Sequence, residues 1–139
     1  MEKKAILIDD SIVRGDTLKK VVKLIREAGA KEVHVRITDA PIKFPCFYGI
    51  DMSTYSELIA NRFSNKLEEN IAKDLGVDSF VYQTFEGLIR AIGLKKEEIC
   101  HACLTGEYTT KYGKIRAEEL KESKDKAYID RCFCGSKDV

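Results

Sequence analysis

The chain has 139 residues and a formal net charge of +1, from 24 basic and 23 acidic side chains. This balance gives no electrostatic reason to expect nucleic acid or a membrane surface as a partner. The sequence shows no 18-residue apolar run and no secretory leader, so we expect a cytoplasmic protein. For the same reason its five cysteines are not expected to form a disulfide framework.

The N-terminal stretch predicts a strand, a short loop and a helix. The four apolar residues Ala5 to Ile8 are too few for a helix and suit a strand buried on both faces. Asp9 and Asp10 follow where that strand ends, and a turn from Ser11 to Thr17 contains Gly15. Beyond the turn, apolar residues recur at helical spacing: Leu18, Val21, Val22, Ile25 and Ala28. Because open α/β sheets bind ligands at the carboxyl ends of their strands, we expect a site here.

The loop suits a phosphate group, and the acidic pair suits a sugar. Gly15 lets the backbone approach an anion closely, and the amides of the loop and first helical turn favour negative charge. Ser11 and Thr17 add hydroxyl donors. Asp9 and Asp10 would repel a phosphate but would accept hydrogen bonds from ribose hydroxyls or hold Mg²⁺. The pattern fits a phosphoribose carrying Mg-pyrophosphate; the alternative is an ordinary turn with solvated carboxylates.

The next part of the chain predicts a second strand and a long irregular segment. Gly29 occupies the position of a glycine that ends a helix, and Val33 to Thr38 alternates like a strand completing a right-handed βαβ unit. His34 is expected on a face or edge of the sheet and not in catalysis. Residues 39–52 contain both prolines and are expected to be irregular.

Three further helices and a strand are predicted downstream. Thr54 to Glu57 has capping-box spacing and predicts a helix to about Arg62. Ser64 predicts the start of a second helix that ends at Gly76, with one apolar face: Leu67, Ile71 and Leu75. Ser79 to Gln83 predicts a strand. The last helix is predicted to begin after Thr84 and end at Gly93, with the apolar residues Leu88, Ile89 and Ile92.

The composition changes after about residue 110. We divide the chain into a domain of residues 1–110 and a charged tail of residues 111–139. Within this tail, the stretch from Ala117 to Lys126 is mostly charged and is expected to be a solvated helix or a loosely packed segment.

Several motifs together resemble one enzyme family. The pattern Ile8-Asp9-Asp10, four residues, then Gly15-Asp16-Thr17 resembles the phosphoribosyl diphosphate (PRPP) motif of type I phosphoribosyltransferases. The run from Leu7 to Gly15 is similar to the amidophosphoribosyltransferase family, and the similarity continues at residues 41–54, 85–88 and 100–108. Asp16 departs from the threonine usual in that family, and a carboxylate beside a phosphate is unfavourable unless it turns outward.

The resemblance implies a partial type I phosphoribosyltransferase fold, an α/β parallel sheet with flanking helices. It implies the PRPP-binding portion of an enzyme that converts glutamine, PRPP and water to 5-phosphoribosylamine, glutamate and pyrophosphate, the first step of purine synthesis. The implied substrate-binding residues are Asp9, Asp10, Ser11, Val13, Arg14, Gly15, Asp16 and Thr17, with Mg²⁺ at the two adjacent carboxylates and no catalytic residue assigned. Two alternatives remain open: a non-catalytic module that binds PRPP or a purine nucleotide, and a metal-stabilised structural fragment.

The cysteines form the second candidate site. The spacing Cys100-x-x-Cys103 fits a redox dithiol, half of a zinc site, half of an iron–sulfur site or plain packing. The resemblance implies that Cys46, Cys100 and Cys103 ligate a 4Fe–4S cluster, with Zn²⁺ as the other candidate metal, while His101 is a bystander. In the family the fourth ligand lies upstream. The possible substitutes are Cys132 and Cys134, which we expect to be free thiols.

The resemblance covers only the C-terminal part of the family's enzyme. The glutaminase domain and the pyrophosphate-binding loop have no counterpart in this sequence, so we expect no turnover by the chain alone. A natural subunit, a fragment and a diverged relative all fit. The sheet edge that those parts would cover is expected to pair with a partner subunit or with a second copy of the chain.

Overall fold

A three-stranded parallel sheet forms the centre of the structure, a computed structural model that describes residues 3–50, 52 and 54–122. The strands are β1 (Lys3–Asp9), β2 (Ala30–Ile37) and β3 (Ser79–Tyr82), in the order β1-β2-β3. The helices are α1 (Asp16–Glu27), α2 (Leu67–Leu75), α3 (Phe85–Ile92), α4 (Ala102–Thr105) and α5 (Lys111–Glu122), with 3₁₀ turns at Ile59–Asn61 and Lys96–Glu98. The predicted fold class, a parallel sheet with flanking helices, is confirmed.

The main core lies on one face of the sheet. In the strand register, Leu7 is opposite Val35, and Val35 is opposite Phe80. Alternate residues of a strand share a face, so these three side chains point to the side on which α1 and α2 pack. The buried helix residues of this core are Leu18 and Val22 of α1 and Ile71, Ala72 and Leu75 of α2.

The opposite face of the sheet is open. Ile6 is 70% exposed and Ile8 is 67% exposed, and their register partners on β2 are His34 and Arg36. The prediction that β1 is buried on both faces is therefore wrong, because α1 and α2 both pack on the other side. The expectation that His34 lies on a sheet face is confirmed; its Nδ1 is 2.8 Å from Ser79 Oγ. Parallel sheets are normally covered on both faces, so an apolar surface left exposed by the described residues is unusual for this fold class.

Local capping signals are confirmed at four helix ends. Gly29, Gly76 and Gly93 follow α1, α2 and α3 with φ angles of 95°, 72° and 76°, a left-handed conformation that glycine adopts without strain. Thr84 precedes α3, and its hydroxyl accepts the Gly87 N–H at 3.0 Å.

Two predicted helix starts are wrong. Lys66 has a φ of 45°, so α2 begins only at Leu67 and Ser64 does not cap it. No α-helix follows the capping-box pattern at residues 54–57. Leu58 is extended, with a φ of −77° and a ψ of 118°, and only a 3₁₀ turn follows. The Ile59 N–H donates to Val13 O at 2.8 Å, so a long-range bond replaces the local one that a helix needs.

A second core joins the irregular segment to α5. The predicted irregularity of residues 39–52 is confirmed over its described part, which includes one isolated antiparallel bridge between Cys46 and Met52. The buried side chains of this core are Phe47, Ala102, Tyr108, Ala117 and Leu120. The described part of the predicted tail is the helix α5, which is solvated over most of its residues, as expected, but is anchored to this core by Ala117 and Leu120, the latter only 1% exposed. The remainder of the tail lies outside the described residues, and the division at residue 110 stays a prediction.

No helix in the described ranges is both long enough and apolar enough to cross a membrane.

Removing the Tyr82 hydroxyl is expected to stabilise the protein. Tyr82 is 7% exposed, and its hydroxyl has no hydrogen-bond partner among the described residues. A buried unpaired hydroxyl costs free energy, so Tyr82→Phe should raise the free energy of unfolding by about 1 kcal/mol in urea titrations. Tyr108→Phe is the matched control: the Tyr108 hydroxyl donates to Pro45 O at 2.7 Å, and its removal should lower stability by about 1 kcal/mol. Equal losses in both variants would contradict this prediction.

Candidate functional site

The predicted phosphate loop forms a cavity at the carboxyl end of β1. Gly15 has a φ of 88° and is followed directly by α1, whose N-terminus receives no side-chain cap. The cavity has a volume of about 290 Å³ and is lined by Asp9 and by every residue from Ser11 to Leu18. The structure therefore brings together all of the predicted loop residues, with Asp10 beside the cavity. An uncapped helix N-terminus behind a tight turn is a favourable place for an anion.

The adjacent carboxylates are exposed, and their hydrogen bonds to other described residues are all local. Asp9 Oδ1 accepts the Asp10 N–H at 3.0 Å, and Asp10 Oδ1 accepts the Ser11 N–H at 2.7 Å. An ionised carboxylate has about four acceptor positions, so each retains capacity for ribose hydroxyls or for the water shell of a cation.

The pair fits a Mg²⁺ ion that is carried in by a substrate. Within the described residues there is no group of three His, Cys, Asp or Glu side chains that could hold a metal ion. Mg²⁺ is commonly held by one or two carboxylates together with substrate phosphates, and this donor set suits that mode. Bound there, Mg²⁺ would neutralise phosphate charge.

Asp39 is a third carboxylate at this end of the sheet and is not among the predicted site residues. Its N–H donates to Asp10 O at 3.0 Å, and its Oδ1 accepts the Ala40 N–H at 2.7 Å. Burial raises the pKa of the Asp39 carboxyl, the Ala40 hydrogen bond lowers it, and the Asp10 charge raises it. An acidic residue directly after the second predicted strand was the signal that would have identified it.

The raised pKa of Asp39 predicts a pH-dependent stability difference. Ionised Asp39 destabilises the fold above its folded-state pKa, and that destabilisation disappears as the pH falls through this pKa toward the ordinary value of 3.8. Asp39→Asn should therefore be more stable than the wild type at neutral pH. The difference should shrink on acidification in urea titrations. A difference that stays constant between about pH 3 and pH 8 would contradict the assignment.

The three described cysteines lie in one region of the fold. Cys103 O accepts the backbone N–H groups of Lys43 and Phe44, both at 3.0 Å, which ties the segment containing Cys46 to α4. Cys46 and Cys103 are half-buried in one apolar cluster, whereas Cys100 is exposed. Burial raises the pKa of the Cys103 thiol to about 11, and the charges of Asp39 and of the other two cysteines act in the same direction.

These cysteines do not fit a ready-made cluster site. They are free thiols, and the described residues contain no group of three His, Cys, Asp or Glu side chains that could hold a metal ion. The assignment of Cys46, Cys100 and Cys103 as metal ligands thus gains no support from their geometry, and Cys132 and Cys134 lie outside the described residues. His101 is 8% exposed, and its Nδ1 lies 2.9 Å from Thr105 Oγ1, which fits a role in packing.

Comparisons with known proteins identify relatives over most of the chain. No protein-family model matches. The amidophosphoribosyltransferase of Methanocaldococcus jannaschii is 56% identical over 108 residues, which are 78% of this chain and 22% of the relative. The Bacillus subtilis enzyme of the same name is 48% identical over 112 residues, which are 78% of this chain and 23% of the relative.

Solved structures agree with the sequence matches. Glutamine PRPP amidotransferase from B. subtilis, complexed with ADP and GMP, superposes with a TM-score of 0.68 at 46% identity over 79% of this chain and 25% of that chain. A structure described as the allosteric regulatory enzyme of purine biosynthesis gives a TM-score of 0.67 at 46% identity, covering 78% of this chain and 23% of that one. The chain thus spans about a fifth to a quarter of the relatives it matches. Over most of its length it is homologous to a portion, about one-fifth, of amidophosphoribosyltransferases.

Proposed function

We propose that this chain is the PRPP-binding portion of an amidophosphoribosyltransferase. The observation that carries the proposal is the loop cavity, in which Gly15 and the uncapped N-terminus of α1 lie next to Asp9 at the end of β1. Backbone amides there are suited to a phosphate, and the carboxylates are suited to a ribose. The homology, which extends over 78% of the chain, supports the same assignment.

Each part of the site has its own role in this proposal. The amides of Val13 to Thr17 bind the 5′-phosphate, and Asp9 and Asp10 bind ribose hydroxyls and the magnesium of Mg-pyrophosphate. Asp16 is exposed in the first turn of α1, where its charge stabilises the helix dipole but opposes a phosphate. In the reaction, ammonia displaces pyrophosphate from C1 of the ribose, so this chain contributes by orienting the ribose and by stabilising charge.

Calorimetry tests the binding proposal directly. Ribose 5-phosphate, GMP and PRPP with Mg²⁺ should each bind to the folded chain at one site, and each should displace the others. If the folded chain binds none of the three at millimolar concentration, the proposal is wrong.

The open sheet face supports a proposal about partners. Ile6 and Ile8 present an exposed apolar surface on β1, an edge strand of the described sheet. We propose that a polypeptide carrying the rest of the family's domain, or a second copy of this chain, covers it, and that turnover needs this partner. Formation of 5-phosphoribosylamine from PRPP and ammonia should appear only when the remaining portion of the M. jannaschii relative is added. Full turnover by the chain alone would contradict this.

A regulatory module that binds nucleotides is the second candidate. The solved B. subtilis relative is a complex with ADP and GMP, which favours nucleotides as ligands. Under this alternative, GMP binds to the chain, but the complemented mixture forms no product from PRPP and ammonia.

The metal content of the chain distinguishes the cysteine hypotheses. Because the described residues form no three-ligand group, we expect well under one equivalent of iron, sulfide or zinc after anaerobic purification. The thiols should then titrate with a disulfide reagent, with exposed Cys100 reacting before half-buried Cys103. One 4Fe–4S cluster per chain would contradict this prediction, because it would require further ligands or a rearrangement of the described cysteines.

A further inference from the structure

Residues 57–61 contact loop 11–17, although they lie outside the sequence motif that contains this loop. Arg14 Nη2 lies 3.0 Å from Glu57 Oε2, and the Ile59 N–H donates to Val13 O at 2.8 Å. Both contacts reach the loop from a segment whose sequence contains no phosphate-binding motif. Loop 11–17 is therefore joined to β1 and α1 through the chain and to residues 57–59 through space.

The ion pair between Arg14 and Glu57 is more sheltered than most pairs in this structure. The two side chains are 32% and 21% exposed. Partial burial strengthens an ion pair relative to one in water, and it fixes the geometry of the arginine. Arg14 also lines the loop cavity, so the position of Glu57 decides where a cationic group of that cavity lies.

Packing adds a third contact beneath the loop. Leu58 and Ile59 are completely buried. A Cβ atom on Gly15 would lie 2.9 Å from Ile59 Cδ1, so the loop backbone rests directly on this side chain. The turn that presents the amides of the loop is thus supported by Ile59 and restrained by Glu57.

From these contacts we infer that Glu57 is a positioning residue, which acts through Arg14 and together with the Ile59 amide to hold loop 11–17 in the shape that accepts a phosphate. The inference deepens the proposed function and rests on it. Glu57 contacts no ligand in this scheme; it sets the affinity of the loop before a ligand arrives.

Glu57→Gln tests the inference, with Asp74→Asn as the matched control. Asp74 pairs with Lys19 of α1 at 2.9 Å, with side chains 30% and 39% exposed, and lies outside the loop cavity. Glu57→Gln should weaken ribose 5-phosphate binding about fivefold, the equivalent of a moderate ion pair, whereas Asp74→Asn should leave binding unchanged. Glu57→Ala is the second variant and should weaken binding at least as much.

Hydrogen exchange separates positioning from general destabilisation. In ligand-free Glu57→Gln, the Ile59 amide should exchange faster than in the wild type. The Asp78 amide, which donates to Val33 O at 2.9 Å between β2 and β3, should be unaffected. Equal acceleration at both amides would mean that Glu57 only stabilises the fold, and would overturn the inference.

Two further results of the binding measurements would overturn the inference about Glu57. Unchanged affinity in both Glu57 variants would remove the positioning role, and tighter binding would show that Glu57 competes with phosphate for Arg14. If the wild type binds no ribose 5-phosphate, the proposed function fails, and exchange of the Ile59 amide alone decides whether Glu57 holds the loop.

Discussion

Gly15→Ala is expected to destabilise the protein and to weaken phosphate binding more than tenfold. The residue has a φ of 88°, where a side chain is strained, and an added Cβ would lie 2.9 Å from Ile59 Cδ1 in the core. Strain and overpacking together should lower the free energy of unfolding by about 3 kcal/mol, measured by urea denaturation. Any shift of the backbone that relieves the overlap also moves the amides of the loop, so affinity for ribose 5-phosphate should fall more than tenfold.

Gly29→Ala is the control for this experiment. Gly29 has a similar φ of 95°, but no described atom beyond its two chain neighbours lies within 4 Å of where its Cβ would be. It also lies outside the residues that line the loop cavity. This variant should lose only about 1 kcal/mol and keep its phosphate affinity. If Gly15→Ala binds ribose 5-phosphate like Gly29→Ala, the loop is not the phosphate site.

The double variant Asp9→Asn with Asp10→Asn is expected to lose more than a hundredfold in affinity for PRPP with Mg²⁺, because each of the two charged acceptors contributes roughly 1.5–3 kcal/mol. Both carboxylates are exposed, and among the described residues they accept from neighbouring backbone amides and from the Ser11 hydroxyl, bonds that asparagine oxygens can still accept. The loop should therefore keep its shape. Ribose 5-phosphate without metal should lose far less affinity, since its phosphate is held by backbone amides. Calorimetry with both ligands measures the difference.

Asp16→Asn is the matched control for this division of roles. Asp16 also lines the cavity but lies at the N-terminus of α1, where a phosphate would be bound. Removing its charge should strengthen binding of both ligands slightly, by reducing repulsion. Equal losses for PRPP and ribose 5-phosphate in the double variant would contradict the separate roles proposed for the carboxylates and the loop.

Local features of the fold were predictable because their causes lie within a few residues of each other. The apolar run before Asp9, the helical spacing after Thr17 and the glycines at the ends of α1, α2 and α3 each act through neighbours in sequence. The same locality made the phosphate loop recognisable, since all of its cavity-lining residues come from one short stretch. The resemblance to amidophosphoribosyltransferases rested on this stretch and on three others, and the homology confirms it.

Long-range contacts decided the features that sequence patterns did not predict correctly. The capping-box pattern at residues 54–57 is locally sound, but the Ile59 amide bonds to Val13 and Glu57 pairs with Arg14, so tertiary contacts override the helix signal. Asp39 approaches Asp10 only because β1 and β2 are neighbours in the sheet.

The sequence by itself determined the three strands, the helices α1, α2 and α3, the loop and the family, because periodicity, capping and motif spacing are properties of neighbouring residues. Only the tertiary structure decided that Ile6 and Ile8 lie on an open face, since burial depends on which elements pack against a strand and not on its own composition. It likewise decided that the three described cysteines share one region of the fold, because their proximity depends on how separate segments approach each other.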